Sequence, residues 1–258
     1  MEQAIQSVQS FFKRKDVVIS AHRYGIDAMG AMAQGLFASL LIGTIIKTLG
    51  QQLGLAFLVT AGGYAAAVAG SLIMWATELQ PLLMGIVVSV LVGMALTLPI
   101  SSAAICAALG LTGLAGGAAV AGCCAQMVGF AVMSYKENGV GGLVSQGLGT
   151  SMLQMPNILR NPRTWIPPTL AAAITGPIAT CLFHLEMNGP AVSSGMGTCG
   201  LVGQIGVYTG WIESGKAVTA FDWIGLVLIC FVLPAVLSTI FCEVLRKKGW
   251  IKEGDLKL

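Results

Sequence analysis

From Leu79 to Tyr135 the chain carries no Asp, Glu, Lys or Arg. A water-soluble protein would have to expose part of so long a stretch, and ordinary soluble domains carry about 25% charged residues. Here only 10% of the 258 residues are charged, 55% are hydrophobic, and the mean hydropathy is +0.82. Such a chain cannot dress a surface for water, and lipid removes the difficulty. In hydrocarbon an unpaired backbone N–H or C=O costs several kcal/mol, which leaves helices or closed barrels. The apolar runs are continuous rather than alternating and last about 20 residues, the length that crosses a ~30 Å core as a helix.

The expected fold is therefore all-α: a polytopic membrane helical bundle with about six full transmembrane helices plus two re-entrant or broken segments. The spans fall near 28–48, 54–76, 82–99, 112–134, 166–185 and 221–244. The intervals 100–111 and 186–214 are too apolar for loops yet rich in Gly, Ser and Thr, and are read as the broken segments. Residues 1–27 form a cytoplasmic amphipathic N-terminal segment, 28–248 a single transmembrane domain, and 249–258 a cytoplasmic tail. In the first of these, Ile5, Val8 and Phe12 recur at helical spacing beside Lys13, Arg14 and Lys15, which suits either a helix on an anionic membrane surface or a solvated one. The charged cluster also interrupts any signal-peptide core.

Basic residues orient the chain. Lys13, Arg14, Lys15 and Arg23 near the start, Lys136, Arg160 and Arg163 in the middle, and Arg246, Lys247 and Lys248 near the end all fall on the cytoplasmic side if six segments cross. Both termini then face the cytoplasm. The stretch 136–165 holds Val140, Val144, Leu148, Met152 and Met155 at helix-like intervals and ends on Trp165, which fits an interfacial helix with an aromatic anchor better than a mobile loop. A weak internal repeat is visible: Pro81 opens a span leading to Pro99, Ser101 and Ser102, and Pro168 opens one leading to Pro190, Ser193 and Ser194. Broken helices at matching positions of two halves point to a transporter's binding site, although 34 glycines also make chance similarity easy.

The densest polar run in an apolar setting is 184–204. It holds His184, Glu186, Asn188, Ser193, Ser194, Gly195, Gly197, Thr198 and Gln204. Ionisable groups at membrane depth usually face a cavity or a substrate route. Glycines let bare backbone approach a solute, while the hydroxyls and amides offer donors and acceptors together, a chemistry that suits a neutral polyol. The plainer reading puts His184 and Glu186 in the headgroup region and assigns the glycines to helix packing. Further candidates are Ser101 and Ser102 at the first break, Asp27, Gln34 and Ser39 around the first span, and Gln126 in the fourth. Gln34 and Gln126 can line a pathway or hydrogen-bond between helices.

Several classes are set aside. A net charge of +3 without a basic stripe gives no footprint for nucleic acid. Seven cysteines, mostly inside apolar runs and without C-x-x-C pairing, read as buried thiols rather than metal ligands. Gly195, Gly197 and Gly200 spell G-x-G-x-x-G, but that fingerprint has meaning only between a strand and a helix of a βαβ unit. No metal, cofactor or intrinsic catalysis is expected.

Three stretches carry a resemblance: Asp27-Ala-Met-Gly-Ala-Met-Ala-Gln-Gly35 through Gly43; Gln154-Met-Pro-Asn157 through Pro168; and Gly195-Met-Gly-Thr-Cys-Gly-Leu-Val-Gly-Gln204. Together they resemble the phosphotransferase-system IIC-like membrane proteins that include the perfringolysin regulator group. The resemblance implies a permease in a bacterial inner membrane that binds a sugar and passes it to a phosphorylating IIB partner. His22 and His184 form no phosphocarrier module, so IIA and IIB proteins would be separate. The leading expectation is a transporter that holds a small polar solute, a carbohydrate by resemblance, between its broken segments and alternates access. A membrane-embedded sensor on the same scaffold is the second expectation, and a proton-coupled ion or vitamin carrier using Asp27, Glu186 or His184 is a third. The bilayer and a second copy of the chain, in a homodimer, complete the candidate partners.

Overall fold

The structure, a computed structural model, describes Gly54 and residues 80–258. The N-terminal segment, the spans expected at 28–48 and 54–76, and Asp27, Gln34 and Ser39 lie outside the described residues. Within them every regular element is helical: α1 (Pro81–Thr97), α2 (Ser102–Leu109), α3 (Gly113–Met133), α4 (Tyr135–Val144), α5 (Met155–Arg160), α6 (Ile166–Pro177), α7 (Val202–Glu213), α8 (Ala220–Val227) and α9 (Leu233–Lys247). The remainder is short 3₁₀ and π turns and extended links.

Among the described residues, three helical stretches are long and apolar enough to cross a membrane: Gly113–Met133, Pro162–Leu182 and Ala220–Lys247. Pro81–Thr97 is apolar and slightly shorter. These four coincide with the spans expected at 82–99, 112–134, 166–185 and 221–244. Prolines shape two of them. Pro177 and Pro234 each lack a backbone N–H and crowd the carbonyl four residues back, and each borders a widened π turn, Ile178–Leu182 and Leu228–Val232. The wider turn accommodates the proline and keeps each helix continuous.

Helix α3 is the centre of the bundle. Every residue from Gly116 to Ala131 is buried, and most are Gly, Ala or Cys, so neighbouring backbones close onto it as small residues allow in membranes. A Cβ on Gly122 would lie 2.6 Å from the Cα of Ser89 in α1, so the two helices touch backbone to backbone there. Both α1 and α3 run antiparallel to α6. In α1, Ser89 donates to the Ala172 carbonyl at 2.8 Å, and Pro81 O accepts from Thr180 at 2.8 Å. In α3, Gln126 bonds Thr169, while Gly117 meets Leu185.

Helices α1 and α3 are therefore parallel, which corrects one expectation. A re-entrant segment at 100–111 would leave α1 and α3 antiparallel. Instead, residues 98–112 carry the chain back from the level of Gln126, where Thr97 bonds it at 3.2 Å, to the start of α3. That return covers about 20 Å, thirteen residues of α3 at 1.5 Å each, as a broken helix with α2 at its middle. The described residues make five passes along the bundle where four crossings were expected.

The interval 186–214 does enter and leave by the same end. Met187 pairs with Gly113 at the start of α3 through reciprocal backbone hydrogen bonds of 2.9 and 3.0 Å. Thr198 then reaches Met127, about 21 Å further along α3. Helix α7 climbs back until Gly210 lies against Asn188 and Gly189. Beyond it, Thr219 and Asp222 form a capping box that starts α8.

Aromatic rings mark the two ends of the bundle. Trp223 packs on Tyr208 and Trp211 with centroids 5.6 and 5.4 Å apart at the far end. At the other, basic end, Arg163 and Lys248 lie over Trp250, a pairing of rings and cations common at membrane interfaces. The stretch 136–165 is not one regular helix. It kinks at Gly139 and proceeds through a π turn and two 3₁₀ turns, with Val140, Val144, Leu148 and Met152 exposed. Residues 249–258, expected as a tail, fold back onto this stretch and bury Ile251 and Leu256.

Candidate functional site

The two breaks meet. Ser102, first residue of α2, donates from its hydroxyl to the Gly195 carbonyl at 2.6 Å, and Ser194 donates to the Leu111 carbonyl at 2.5 Å. A Cβ on Gly195 would lie 2.5 Å from the Ser102 carbonyl carbon and 2.7 Å from Ala103 N. Glycine is what lets the two irregular backbones stack. At the tip of the re-entrant segment Thr198 donates to the Gly147 carbonyl at 2.5 Å, joining the tip to the π turn Ser145–Gly149. The next turn is strained, because Leu201 holds φ +59° beside Gly200 at +53°, a conformation that costs a branched residue about 1–2 kcal/mol.

Where these three irregular segments converge there is a cavity of about 440 Å³. Pro99, Ile100, Ser101 and Ser102 line it from the first break, Gly149, Thr150 and Met152 from the end of the π turn and the residues after it, and Met196 and Cys199 from the re-entrant tip. The lining is mainly apolar with a few hydroxyls, the composition of small-molecule sites. Ser101 Oγ accepts from Ala104 N at 3.1 Å and Thr150 Oγ1 accepts from Met152 N at 3.2 Å. Each hydroxyl proton remains to be donated elsewhere.

The run 184–204 is split by the fold. Ser193, Ser194, Gly195, Gly197, Thr198 and Gln204 are buried along the re-entrant segment, and of these Ser194 and Thr198 spend their protons on carbonyls. Gln204 donates to Cys124 Sγ at 3.2 Å, and its Oε1 is buried without a partner among the described residues. His184, Glu186 and Asn188 are exposed at the far end, where Asn188 donates to Glu186 at 2.9 Å. They lie about 20 Å along α3 from the cavity and do not join it. His184 turns the chain there with φ +43°.

Gln126 is a junction between helices. Its Oε1 accepts from Thr97 and from Trp165 Nε1 at 3.0 Å, and its Nε2 donates to Thr169 at 3.2 Å; Thr97 in turn meets Ser151 at 2.9 Å. This cluster ties α1, α3, α6 and the 151–154 turn together beside the cavity. Gly149, Thr150 and Met152 escaped the sequence reading, which took 136–165 as one interfacial segment. The signal that marks them is the run Ser145-Gln-Gly-Leu-Gly-Thr150, whose small and hydroxylated residues match the other two breaks.

A helical bundle with a central small-residue helix, a broken return leg, a re-entrant segment closing on one cavity and, among the described residues, three stretches long and apolar enough to cross a bilayer has the build of a helical membrane protein. Residues 63–258 match the family described as phosphotransferase system, EIIC, and the chain belongs to that family. No curated protein and no solved structure matches it.

Proposed function

We propose that the chain is the membrane permease component of a phosphotransferase system and that a small neutral polyol of the carbohydrate class occupies the cavity at the three breaks. The family carries the permease role, and the convergence of 99–103, 149–152 and 196–199 on one cavity supports the location. A sugar ring has apolar faces and hydroxyl edges, and the cavity offers Leu96, Ile100 and Met196 for the first and Ser101 and Thr150 for the second. By the positive-inside rule the end carrying Lys136, Arg163 and Arg246 faces the cytoplasm. The cavity then sits in the cytoplasmic half, where a separate IIB protein would meet the delivered sugar.

Reconstituted vesicles test this. Radiolabelled hexoses and related polyols, with and without IIA and IIB proteins inside, should show saturable uptake by the wild type. Ser101→Ala and Thr150→Val should each weaken it about three- to tenfold, the equivalent of one hydrogen bond at 0.5–1.5 kcal/mol. Uptake of no tested solute refutes transport, and saturable binding without uptake gives the sensor on the same scaffold.

A further inference from the structure

The last residues of the chain are built into the fold by a row of carboxamides. Gln146, buried in the π turn, donates to Ser134 Oγ at 2.8 Å and accepts from Gln154 Nε2 at 2.9 Å. Gln154 also donates to the Leu256 carbonyl at 3.0 Å and accepts from Asn157, which itself donates to the Lys257 carbonyl at 2.9 Å. Asn138 holds the same segment from the other side, donating to Leu256 O at 2.7 Å and accepting from Leu258 N at 2.9 Å. Asn161 donates to Trp250 O and to Asp255. Gln146, Gln154 and Leu256 are 0% exposed, and Leu256 and Ile251 pack among Phe130, Ile158, Cys242 and Leu245.

Buried amides are costly unless paired, so this row has one low-energy arrangement while the C-terminal carbonyls are in place. Remove them, and Gln154 and Asn157 must repack or admit water. Gln146 adjoins Gly147, whose carbonyl holds the re-entrant tip through Thr198, and Gly149 and Thr150 of the same stretch line the cavity. Gln154 and Gln146 link the Leu256 carbonyl to that stretch through two successive hydrogen bonds.

We propose that Trp250–Leu258 is a strap whose seating fixes the basic-end wall of the cavity, with Asn138, Gln146, Gln154 and Asn157 as positioning residues. Release of the strap frees the 145–154 stretch, loosens the hold on Thr198 and opens the cavity. The inference rests on the solute site proposed above only for its functional consequence. The opening itself can be read on Cys199, which lines the cavity and is partly accessible.

The test uses full-length protein in nanodiscs with the exposed Cys181 replaced (Cys181→Ser), comparing no further change with Asn138→Ala, Gln154→Leu and Leu256→Ala. Maleimide labelling of Cys199 is followed alongside hydrogen exchange of α3, α6 and residues 145–157. Each strap variant should label Cys199 at least tenfold faster with native exchange in α3 and α6. Asn138→Ala keeps the Leu256 pocket intact and covers the case in which a core variant misfolds. Unchanged Cys199 labelling in Asn138→Ala, with Leu258 and its neighbours exchanging faster, overturns the proposal. Faster labelling in a protein that binds and moves no solute upholds the strap and removes the solute site instead.

Discussion

Gly122→Ala probes the packing that sets α1 parallel to α3. The added Cβ would meet the carbonyl carbon of Ser89 at 2.5 Å and its Cα at 2.6 Å, besides the Ser89 oxygen. All three are backbone atoms, so no rotamer change relieves the contact, and helix α1 would have to retreat by more than ~1 Å to reach ordinary contact distance. Gly176 of α6 abuts the same turn, and its own Cβ would meet the Ser89 side chain and the Gly85 carbonyl. Helices α1, α3 and α6 each pack on the other two, so moving α1 away from Gly122 also strips its contact with α6. Overpacking of this kind costs about 1–3 kcal/mol, and the loss of two packed faces together argues for the upper figure. Replacing Gly by Ala in a helix returns up to ~1 kcal/mol. The net expectation is a loss of about 2 kcal/mol, read by tryptophan fluorescence during thermal and denaturant unfolding in detergent. The control is Gly141→Ala, where nothing lies within 4 Å of the new Cβ and the helix gain stands alone. If Gly122→Ala is as stable as the wild type, the close approach of α1 and α3 is wrong.

Two ion pairs at the basic end should behave differently. Arg246 meets Glu137 at 2.6 Å with little of either side chain exposed, whereas Lys136 and Glu243 meet at 2.7 Å in the open. Arg246→Met strands Glu137 and should cost about 3 kcal/mol, with Glu137→Gln added to it restoring most of the loss. Lys136→Met should cost under ~1 kcal/mol. A double-mutant cycle in unfolding experiments decides it, and equal costs would refute the burial argument. Ser102→Ala removes the donor to the Gly195 carbonyl and leaves it buried, so it should cost about 1–2 kcal/mol and speed exchange of 191–197. A variant with native exchange there would show that the two breaks are not locked together.

Membrane residence and the four helical stretches after residue 80 follow from the sequence because hydropathy and length act locally. A charge-free run such as 79–135 has no alternative in water, and Pro81, Pro167 and Thr219 start helices by chemistry confined to one turn. The broken character of 100–111 and of the first half of 186–214 was legible for the same reason: Gly, Ser and Pro in an apolar run interrupt a helix wherever they fall, while Val202–Glu213 in the second half is a regular helix. The direction in which a break sends the chain is a different matter. Whether 98–112 turns back or passes through depends on α1 and α3 both lying against α6, and that is decided by Gly122, Gly85 and Gly176 permitting backbone contact between residues 33 to 92 positions apart.

The site shows the same division. Residue types marked Ser101, Ser102 and the run from Ser193 to Thr198 as polar groups gathered in lipid, and the two breaks do touch. Composition could not tell which hydroxyls hold the fold and which have protons to donate, since Ser102, Ser194 and Thr198 are occupied by carbonyls 51 to 93 residues away. Nor could it separate His184, Glu186 and Asn188, neighbours in sequence, from a cavity about 20 Å along α3. The seating of Leu256 against Gln154 was beyond reach for the same physical reason: a hydrogen bond to a backbone carbonyl leaves no mark on the residue that supplies it. Sequence by itself fixed where this chain lives and where its helices break, because solvation and backbone chemistry are properties of short stretches. Tertiary structure alone decided the direction of each pass, the wall of the cavity and the seating of Trp250–Leu258, because those depend on which distant parts of the chain are brought to meet.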